Sequence, residues 1–322
     1  MHEATESGRP STRAPNAMVA TPHTLASSAG LDILRAGGSA VDAAIGINAV
    51  LAVAYPHMAG VGGDGFWLVA PPDGDVRGIN ASGPAAADAD RTFYSAERKI
   101  PERGPGAALT VPGAVDGWRL AHETHGELPW TRLFEDAVGL AEDGVPVTAT
   151  LARWIRRDRD ELAADDRAAA TFLLDGTPPS AGDRLEQADL AASLSAIADE
   201  GARGFYEGDI AEAFCAGLGE GSPLHPDDFA AYRAEWVEPL SIDYRGYTAH
   251  GLPPNTQGLT ALQLLGLLDG FDVASWGDGT PAYYHHLTEA TKVAFADRDA
   301  WITDPDALDV PTEDLLAADY LR

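Results

Sequence analysis

Tyr55-Pro56-His57-Met58-Ala59-Gly60-Val61-Gly62-Gly63-Asp64-Gly65-Phe66-Trp67-Leu68-Val69 is the stretch that decides the fold. Gly60, Gly62 and Gly65 match the G-x-G-x-x-G spacing of dinucleotide sites. Such a site needs a strand before the glycines and a helix after them, because the helix N-terminus holds the pyrophosphate. Here a helical pattern precedes the glycines and a short apolar run follows them. The reversed order argues against a dinucleotide site.

The sequence before the glycines predicts two helices. One is predicted over His23–Ala36, and a second over Ala40–Ala54, which is apolar on nearly every side. A helix of that kind is typical of a buried central position. Ser39 is in place to cap the second helix, with Asp42 three residues further on in its first turn.

The sequence after the glycines predicts a hairpin followed mainly by helices. Its two strands are predicted over Phe66–Ala70 and Val76–Ala81, and a second strand pair over Leu240–Leu252. The segment Thr110–Trp118 is predicted to lead into a helix that ends at about Thr124. Further helices are predicted over Leu133–Glu142, Thr148–Ala163, Leu190–Asp199, Asp209–Leu218, Asp227–Arg233, Thr260–Leu268, Ala282–Ala300 and Leu315–Leu321. The pattern predicts a helix-rich α/β (α+β) fold with few strands and no internal repeat.

The composition predicts a folded protein with a strongly acidic surface. The formal net charge is −28, yet 45% of the residues are hydrophobic, unlike a disordered acidic chain. Self-repulsion of this size destabilises a compact state unless salt screens it, so we expect a halophilic protein. The same charge repels nucleic acid, which we exclude as a partner.

The N-terminal sequence predicts no export or membrane anchoring. Residues 1–16 are interpreted as a flexible acidic tail without the apolar stretch of a secretory signal, and 17–322 as one region. No apolar run reaches the roughly 18 residues of a membrane span. We therefore expect a cytoplasmic protein with no membrane partner. Cys215 is the single cysteine, so no disulfide can form within the chain.

Two histidine clusters raise the question of a metal site. His122-Glu123-Thr124-His125 is one residue short of H-E-x-x-H, and both of its histidines are predicted to be solvated. His285 and Glu289 lie one helical turn apart and are interpreted as a polar flank. Asp297 is interpreted as a surface acid. The sequence therefore predicts no metal site.

Five segments, taken in order, resemble the γ-glutamyltransferase (γ-glutamyltranspeptidase) family over about Ala17 to Leu321. They are Gly37-Gly38-Ser39-Ala40-Val41-Asp42-Ala43-Ala44, Gly60-Val61-Gly62-Gly63-Asp64-Gly65-Phe66, Val111-Pro112-Gly113-Ala114-Val115-Asp116-Gly117-Trp118, Tyr244-Arg245-Gly246-Tyr247 with Pro253-Pro254-Asn255-Thr256-Gln257-Gly258, and Ala296-Asp297-Arg298 with Asp304-Pro305.

The resemblance implies an αββα N-terminal-nucleophile hydrolase whose precursor cuts itself ahead of a threonine. This chain then corresponds to most of the helix-rich large subunit, and its partner is a small-subunit segment that carries the nucleophile. Thr303 and Thr312 lie in loop and helix patterns, so no catalytic residue is assigned here. The implied reaction is acyl transfer from a small-molecule amide, such as a γ-glutamyl compound, to water or an amine, without metal or cofactor.

The chain departs from the family pattern at one position. Typical large subunits carry an arginine after the second hairpin strand, which grips the substrate carboxylate; Ser82 stands there. By resemblance, Asn80 and Ser82 are the substrate-binding residues, while Arg91 or Arg103 could supply a cation from elsewhere. The Pro-Pro-Asn-Thr-Gln-Gly form also resembles the acylase-like and oxamate-amidohydrolase-like branch. A rival interpretation is a non-catalytic remnant or scaffold that only binds a partner chain.

Overall fold

The computed structural model describes residues 11–72, 74–96 and 99–322, which form two compact units. The first unit runs up to Asp64 and continues over Ser82–Arg233. The second unit comprises Gly65–Ala81 and Ala234–Arg322. The predicted tail lies largely outside the described residues; its described part, 11–16, is exposed and contains no helix or strand.

The strands are short and the helices dominate. The strands are β1 Gly65–Val69, β2 Arg77–Ala81, β3 Val145–Pro146, β4 Arg184–Leu185, β5 Glu235–Val237, β6 Leu240–Tyr244 and β7 Tyr247–Gly251. The α-helices are α1 Thr24–Arg35, α2 Ala40–Ala54, α3 Ala114–His125, α4 Glu135–Asp143, α5 Ala149–Arg157, α6 Arg159–Leu162, α7 Asp166–Phe172, α8 Ala188–Glu200, α9 Ala202–Tyr206, α10 Asp209–Leu218, α11 Pro226–Ala231, α12 Gly258–Asp269, α13 Pro281–Trp301 and α14 Thr312–Leu315. Short 3-10 helices cover Trp130–Leu133, Val273–Trp276 and Pro305–Ala307. No helix in the described ranges combines the length and the apolar character needed to cross a bilayer.

The first unit is organised around α2, which is buried along most of its length and packs against α1, α3 and α4. The Ser39 hydroxyl accepts from the Asp42 N–H, and Asp42 Oδ2 accepts from the Ser39 N–H at 2.9 Å. The predicted cap and the predicted burial of this helix are both confirmed. Asp42 Oδ2 also accepts from the backbone N–H groups of Glu127 and Leu128, which ties the segment after α3 to the start of α2.

The second unit contains an antiparallel sheet in the order β1-β2-β5 and a separate hairpin of β6 and β7. The central strand β2 pairs Ile79 with Trp67 on one side and with Trp236 on the other. Helix α12 packs against this hairpin and against α13. Arg245 and Gly246 both take positive φ at the hairpin turn, which is where the sequence places it.

Two predicted helices are wrong in part. The helix expected over Thr148–Ala163 is broken at Asp158, whose ψ of 18° leaves the helical region, so α5 and α6 are separate.

The other wrong prediction is a helix over Leu315–Leu321. Helix α14 ends at Leu315, and the residues at and after its end are held by hydrogen bonds from α12 and α13. Gln263 donates to the Leu315 carbonyl and to Asp297, and Tyr320 donates to Asp297 as well. Asp297 is thus a half-buried anchor for this segment, not the surface acid that was expected.

Candidate active site

The glycine loop at residues 60–64 is anchored to the start of α3. The Gly63 carbonyl accepts from the N–H of Gly113 at 2.9 Å and from that of Ala114 at 3.0 Å. These are among the first N–H groups of a helix, which have no partner within the helix itself. The loop is therefore fixed by backbone groups, which agrees with a structural wall and not with a phosphate cradle.

Asp64 closes this loop onto the segment that follows β2. Its carboxylate accepts a hydrogen bond from the Gly83 N–H. Desolvation raises the pKa of the Asp64 carboxyl above its ordinary value, and the Gly83 hydrogen bond acts in the opposite direction. In the sequence, Asp64 stands out only as part of a glycine run. Its contact with Gly83 was not predicted, because it joins two segments that are separated by a strand hairpin.

The segment from Ser82 to Pro84 lies against Val111. The Val111 N–H donates to the Pro84 carbonyl at 2.9 Å, and a side-chain carbon at position 83 would lie 1.6 Å from the Val111 oxygen. Only glycine fits such a close backbone approach. Ser82 is half-buried beside this contact. Arg103 forms an exposed ion pair with Glu161 at 2.8 Å.

Two buried side chains, those of Tyr206 and Asp116, fix the turn into α3. The Tyr206 hydroxyl donates to the Pro112 carbonyl at 2.8 Å and accepts from the Asp116 N–H at 3.0 Å. Burial raises the pKa of Tyr206 well above its ordinary value. The buried Asp116 carboxylate is bound at both oxygens by Arg119, whose pKa it raises. Asp116 is therefore an anchor of the helix start.

In the second unit, Asn80 of β2 meets the Pro-Pro-Asn-Thr-Gln-Gly turn. Asn80 Nδ2 donates to Asn255 Oδ1 at 3.1 Å across 175 positions of sequence. From the sequence, that turn was interpreted by its composition alone, and Asn255 was assigned no role. The available sequence signal was an asparagine directly after the two prolines of this turn.

The remaining polar candidates take structural roles. The prediction that both histidines of the 122–125 cluster are solvated is wrong: the His122 side chain is 19% exposed, and its Nε2 lies 2.8 Å from the Leu128 carbonyl. His285 and Glu289 are exposed on α13, as a polar flank would be. Cys215 is half-buried, and burial raises the pKa of its thiol, which does not suit a nucleophile.

Comparison with known proteins agrees with this helix-rich scaffold, since the similar structures define one fold class, that of the N-terminal-nucleophile hydrolases. Residues 26–322 match the model described as Gamma-glutamyltranspeptidase, and the chain belongs to that family.

Three proteins illustrate the similarity. The chain is 44% identical over 311 residues to an oxamate amidohydrolase proenzyme of Klebsiella pneumoniae, covering 95% of this chain and 58% of that protein. It superposes on the gamma-glutamyltranspeptidase of Helicobacter pylori with a TM-score of 0.92 at 28% identity, covering 97% of this chain and 92% of that one. It superposes on a cephalosporin acylase from Bacillus halodurans with a TM-score of 0.89 at 37% identity, covering 100% of this chain and 62% of that one.

These similarities confirm the predicted family and the predicted fold class. They also support an acyl-transfer or hydrolase function for the family to which the chain belongs. The chain spans 58% of the length of the oxamate amidohydrolase proenzyme.

Proposed function

We propose that this chain is the large-subunit portion of an enzyme that hydrolyses or transfers the acyl group of a small-molecule amide. Its nucleophile is the N-terminal threonine of a segment beyond residue 322. The observation that carries the proposal is a comparison of two coverages. The chain covers 58% of an uncut proenzyme relative but 92% of one chain of the Helicobacter pylori enzyme, as expected for one subunit of a processed precursor.

The proposed chemistry follows from a threonine with a free α-amine. The amine takes the hydroxyl proton while the oxygen attacks the amide carbonyl carbon, and backbone N–H groups stabilise the oxyanion. The C–N bond then breaks, the amine leaves with the proton, and an ester remains on the threonine. Water hydrolyses this ester, or an amine acceptor takes the acyl group, and either step restores the hydroxyl.

Exposed apolar surface in the second unit supports a partner segment. Among the residues of α13, only Ala294 is buried, whereas Tyr284, Val293 and Phe295 are exposed. Phe66 and Leu68 are each 46% exposed on β1, an edge strand among the described residues. Exposed large apolar side chains grouped on one helix and on one edge strand are typical of an interface. The proposed occupant is the segment that carries the threonine.

Ser82 favours an acyl donor other than a γ-glutamyl compound. A bidentate arginine grip on a carboxylate is strong and geometrically selective, and a serine hydroxyl does not reproduce it. Loss of this remote grip favours an acylase-like or oxamate-amidohydrolase-like activity, because the carboxylate of oxamate is bonded directly to the amide carbon, whereas that of a γ-glutamyl donor lies several bonds away. The Klebsiella pneumoniae and Bacillus halodurans proteins named above carry those two descriptions.

The test is a substrate panel on the protein encoded by the whole reading frame. γ-Glutamyl-p-nitroanilide, oxamate and a cephalosporin-type acyl amide are compared by kcat/KM. We expect oxamate or the acyl amide to exceed the γ-glutamyl compound at least tenfold. Preference for the γ-glutamyl compound would contradict the argument from Ser82. No turnover of any substrate would favour the scaffold that only binds a partner. The cytoplasmic location stays a prediction.

A further inference from the structure

A small cavity lies in the first unit, between the segment that follows α2 and the helices α5, α6 and α7. Its volume is about 130 Å³, and six of the eight side chains that line it are apolar. Of these, Leu151 and Ile155 are buried, whereas Trp154, Leu162 and Phe172 are half-buried. The cavity therefore has an apolar lining whose largest side chains keep part of their surface uncovered.

The break between α5 and α6 places this cavity. Asp158 leaves the helical region with a ψ of 18°, so α6 starts as a separate helix. Leu162 of α6 and Phe172 of α7 line the same space as Ile155 of α5. The cavity thus lies at the junction of three helices that the sequence pattern alone does not separate.

The two titratable groups in the lining do not make the cavity a charged site. Both ring nitrogens of His57 are buried, so the surface that this ring shows to the cavity is carbon. Burial, then Arg153 and His23, lower the pKa of His57, which keeps its imidazole neutral at pH 7. Asp158 Oδ1 lies 3.6 Å from Arg157 Nε, and that pairing balances its charge. A charged ligand therefore finds no unbalanced counter-charge in the lining.

The volume and the aromatic side chains agree with one size of ligand. An apolar cavity of about 150 Å³ in another protein binds benzene, and the volume here is similar. The ring centroids of His57 and Trp154 lie 6.2 Å apart at an interplanar angle of 28°, and Phe172 lines the same space. Aromatic rings in contact attract each other beyond the effect of buried area. One further ring would therefore be held by the rings already present.

We propose that this cavity is a binding site for a small neutral molecule that carries a single aromatic ring. The proposal concerns the first unit alone and uses no step of the proposed reaction. His57 lies three residues before the glycine loop at residues 60–64, so an occupant would contact the segment that joins α2 to that loop.

The experiment uses toluene as the probe and the protein encoded by the whole reading frame. The indole N–H signal of Trp154 is the one that Trp154→Phe removes from the NMR spectrum. It should shift saturably with a Kd of about 1 mM, an ordinary affinity for a ligand of this size. Methylcyclohexane, which lacks a π-system, and benzoate, which adds a charge, should each bind more weakly by about threefold or more.

Two variants locate the bound probe. Leu162→Trp fills the cavity and should weaken toluene binding by about tenfold or more, since no room for a ring remains. Leu120→Trp, at a half-buried leucine of α3 outside the lining, is the matched control and should bind as wild type. Phe172→Leu removes one aromatic side chain and should raise Kd by about threefold. It decides the question if Leu162→Trp does not fold.

The outcomes separate this site from the proposed function. A Trp154 signal that stays in place, or shifts without saturation, overturns the site. Toluene affinity that is unchanged in the folded variants at Leu162 and Phe172 also overturns it, since toluene then binds elsewhere. Methylcyclohexane or benzoate that binds as tightly as toluene overturns the assigned class of ligand. A protein that binds toluene in this way but cleaves no amide overturns the proposed function alone.

Discussion

Gly83 and Val111 approach each other so closely that no side chain fits between them. A first side-chain carbon at position 83 would lie 1.6 Å from the Val111 carbonyl oxygen, a backbone atom that cannot rotate away. This contact holds the residues after Ser82 beside the turn into α3, where Asp64 also binds the Gly83 N–H. The geometry around the position that departs from the family pattern is thus set by backbone packing.

Gly83→Ala should destabilise the protein strongly. We expect a loss of about 2–3 kcal/mol, because the main chain has to move to admit a methyl group. The measurement is the thermal midpoint. Gly139→Ala is the matched control, since nothing lies within 4 Å of a side-chain carbon there and α4 gains a better helix former. Equal midpoints for the two variants would contradict the close contact.

Asp42→Ala should cost about 2–4 kcal/mol of stability, because three backbone N–H groups lose one shared acceptor in a buried place. Urea or thermal unfolding measures this. The control is Asp32→Ala, which removes an exposed carboxylate paired only with Arg35 in the same helix. A loss no larger than that of the control would show that Asp42 is not an anchor.

Stability should fall as the pH drops below about 6.5, partly through His57. Burial, and then Arg153 and His23, lower the pKa of His57. Its two nitrogens are buried without a hydrogen-bond partner among the described residues. Below the ordinary histidine pKa the unfolded chain takes up a proton that the folded chain resists. The stability that neutral His57 contributes is thus complete above about pH 6.5. It is lost as the pH falls through the pKa that His57 has in the folded protein.

The variant that tests this is His57→Phe, which keeps a ring stacked near Trp154. Between pH 7.5 and 5.5 its thermal midpoint should fall less than that of wild type. His250→Phe replaces an exposed imidazole as the control. Parallel curves for His57→Phe and wild type would refute the role of His57.

The net charge of −28 predicts a protein that needs salt. Screening at about 1 M salt shortens the Debye length to roughly 3 Å and weakens repulsion between surface carboxylates. The thermal midpoint should therefore rise by several degrees between low and molar KCl. An uncharged osmolyte at equal osmolality should raise it less. A midpoint that stays flat in KCl would argue against a halophilic protein.

Local sequence patterns predicted most of the scaffold. Helices α2 and α10 have their predicted bounds, and Ser39 caps α2 as expected, because caps and apolar periodicity depend on neighbouring residues. The end of the chain was not predictable in this way. Leu315–Leu321 has a helical pattern, but Gln263 and Asp297 bind it in an irregular form.

The site was predicted less completely than the scaffold. Asn80 and Ser82 were identified by resemblance, and their substrate role stays a prediction. Asn255 and Gly83 take their roles from contacts with Asn80 and Val111. Such contacts join distant parts of the sequence, so no local pattern encodes them.

Intact-mass analysis of the protein encoded by the whole reading frame, before and after incubation with a slowly hydrolysed amide, tests the central claim most directly. The account predicts two polypeptides, cut in front of a threonine beyond Arg322, with the acyl adduct on the downstream one. A single uncut polypeptide that turns over the amide, or an adduct on a residue between 1 and 322, would contradict it.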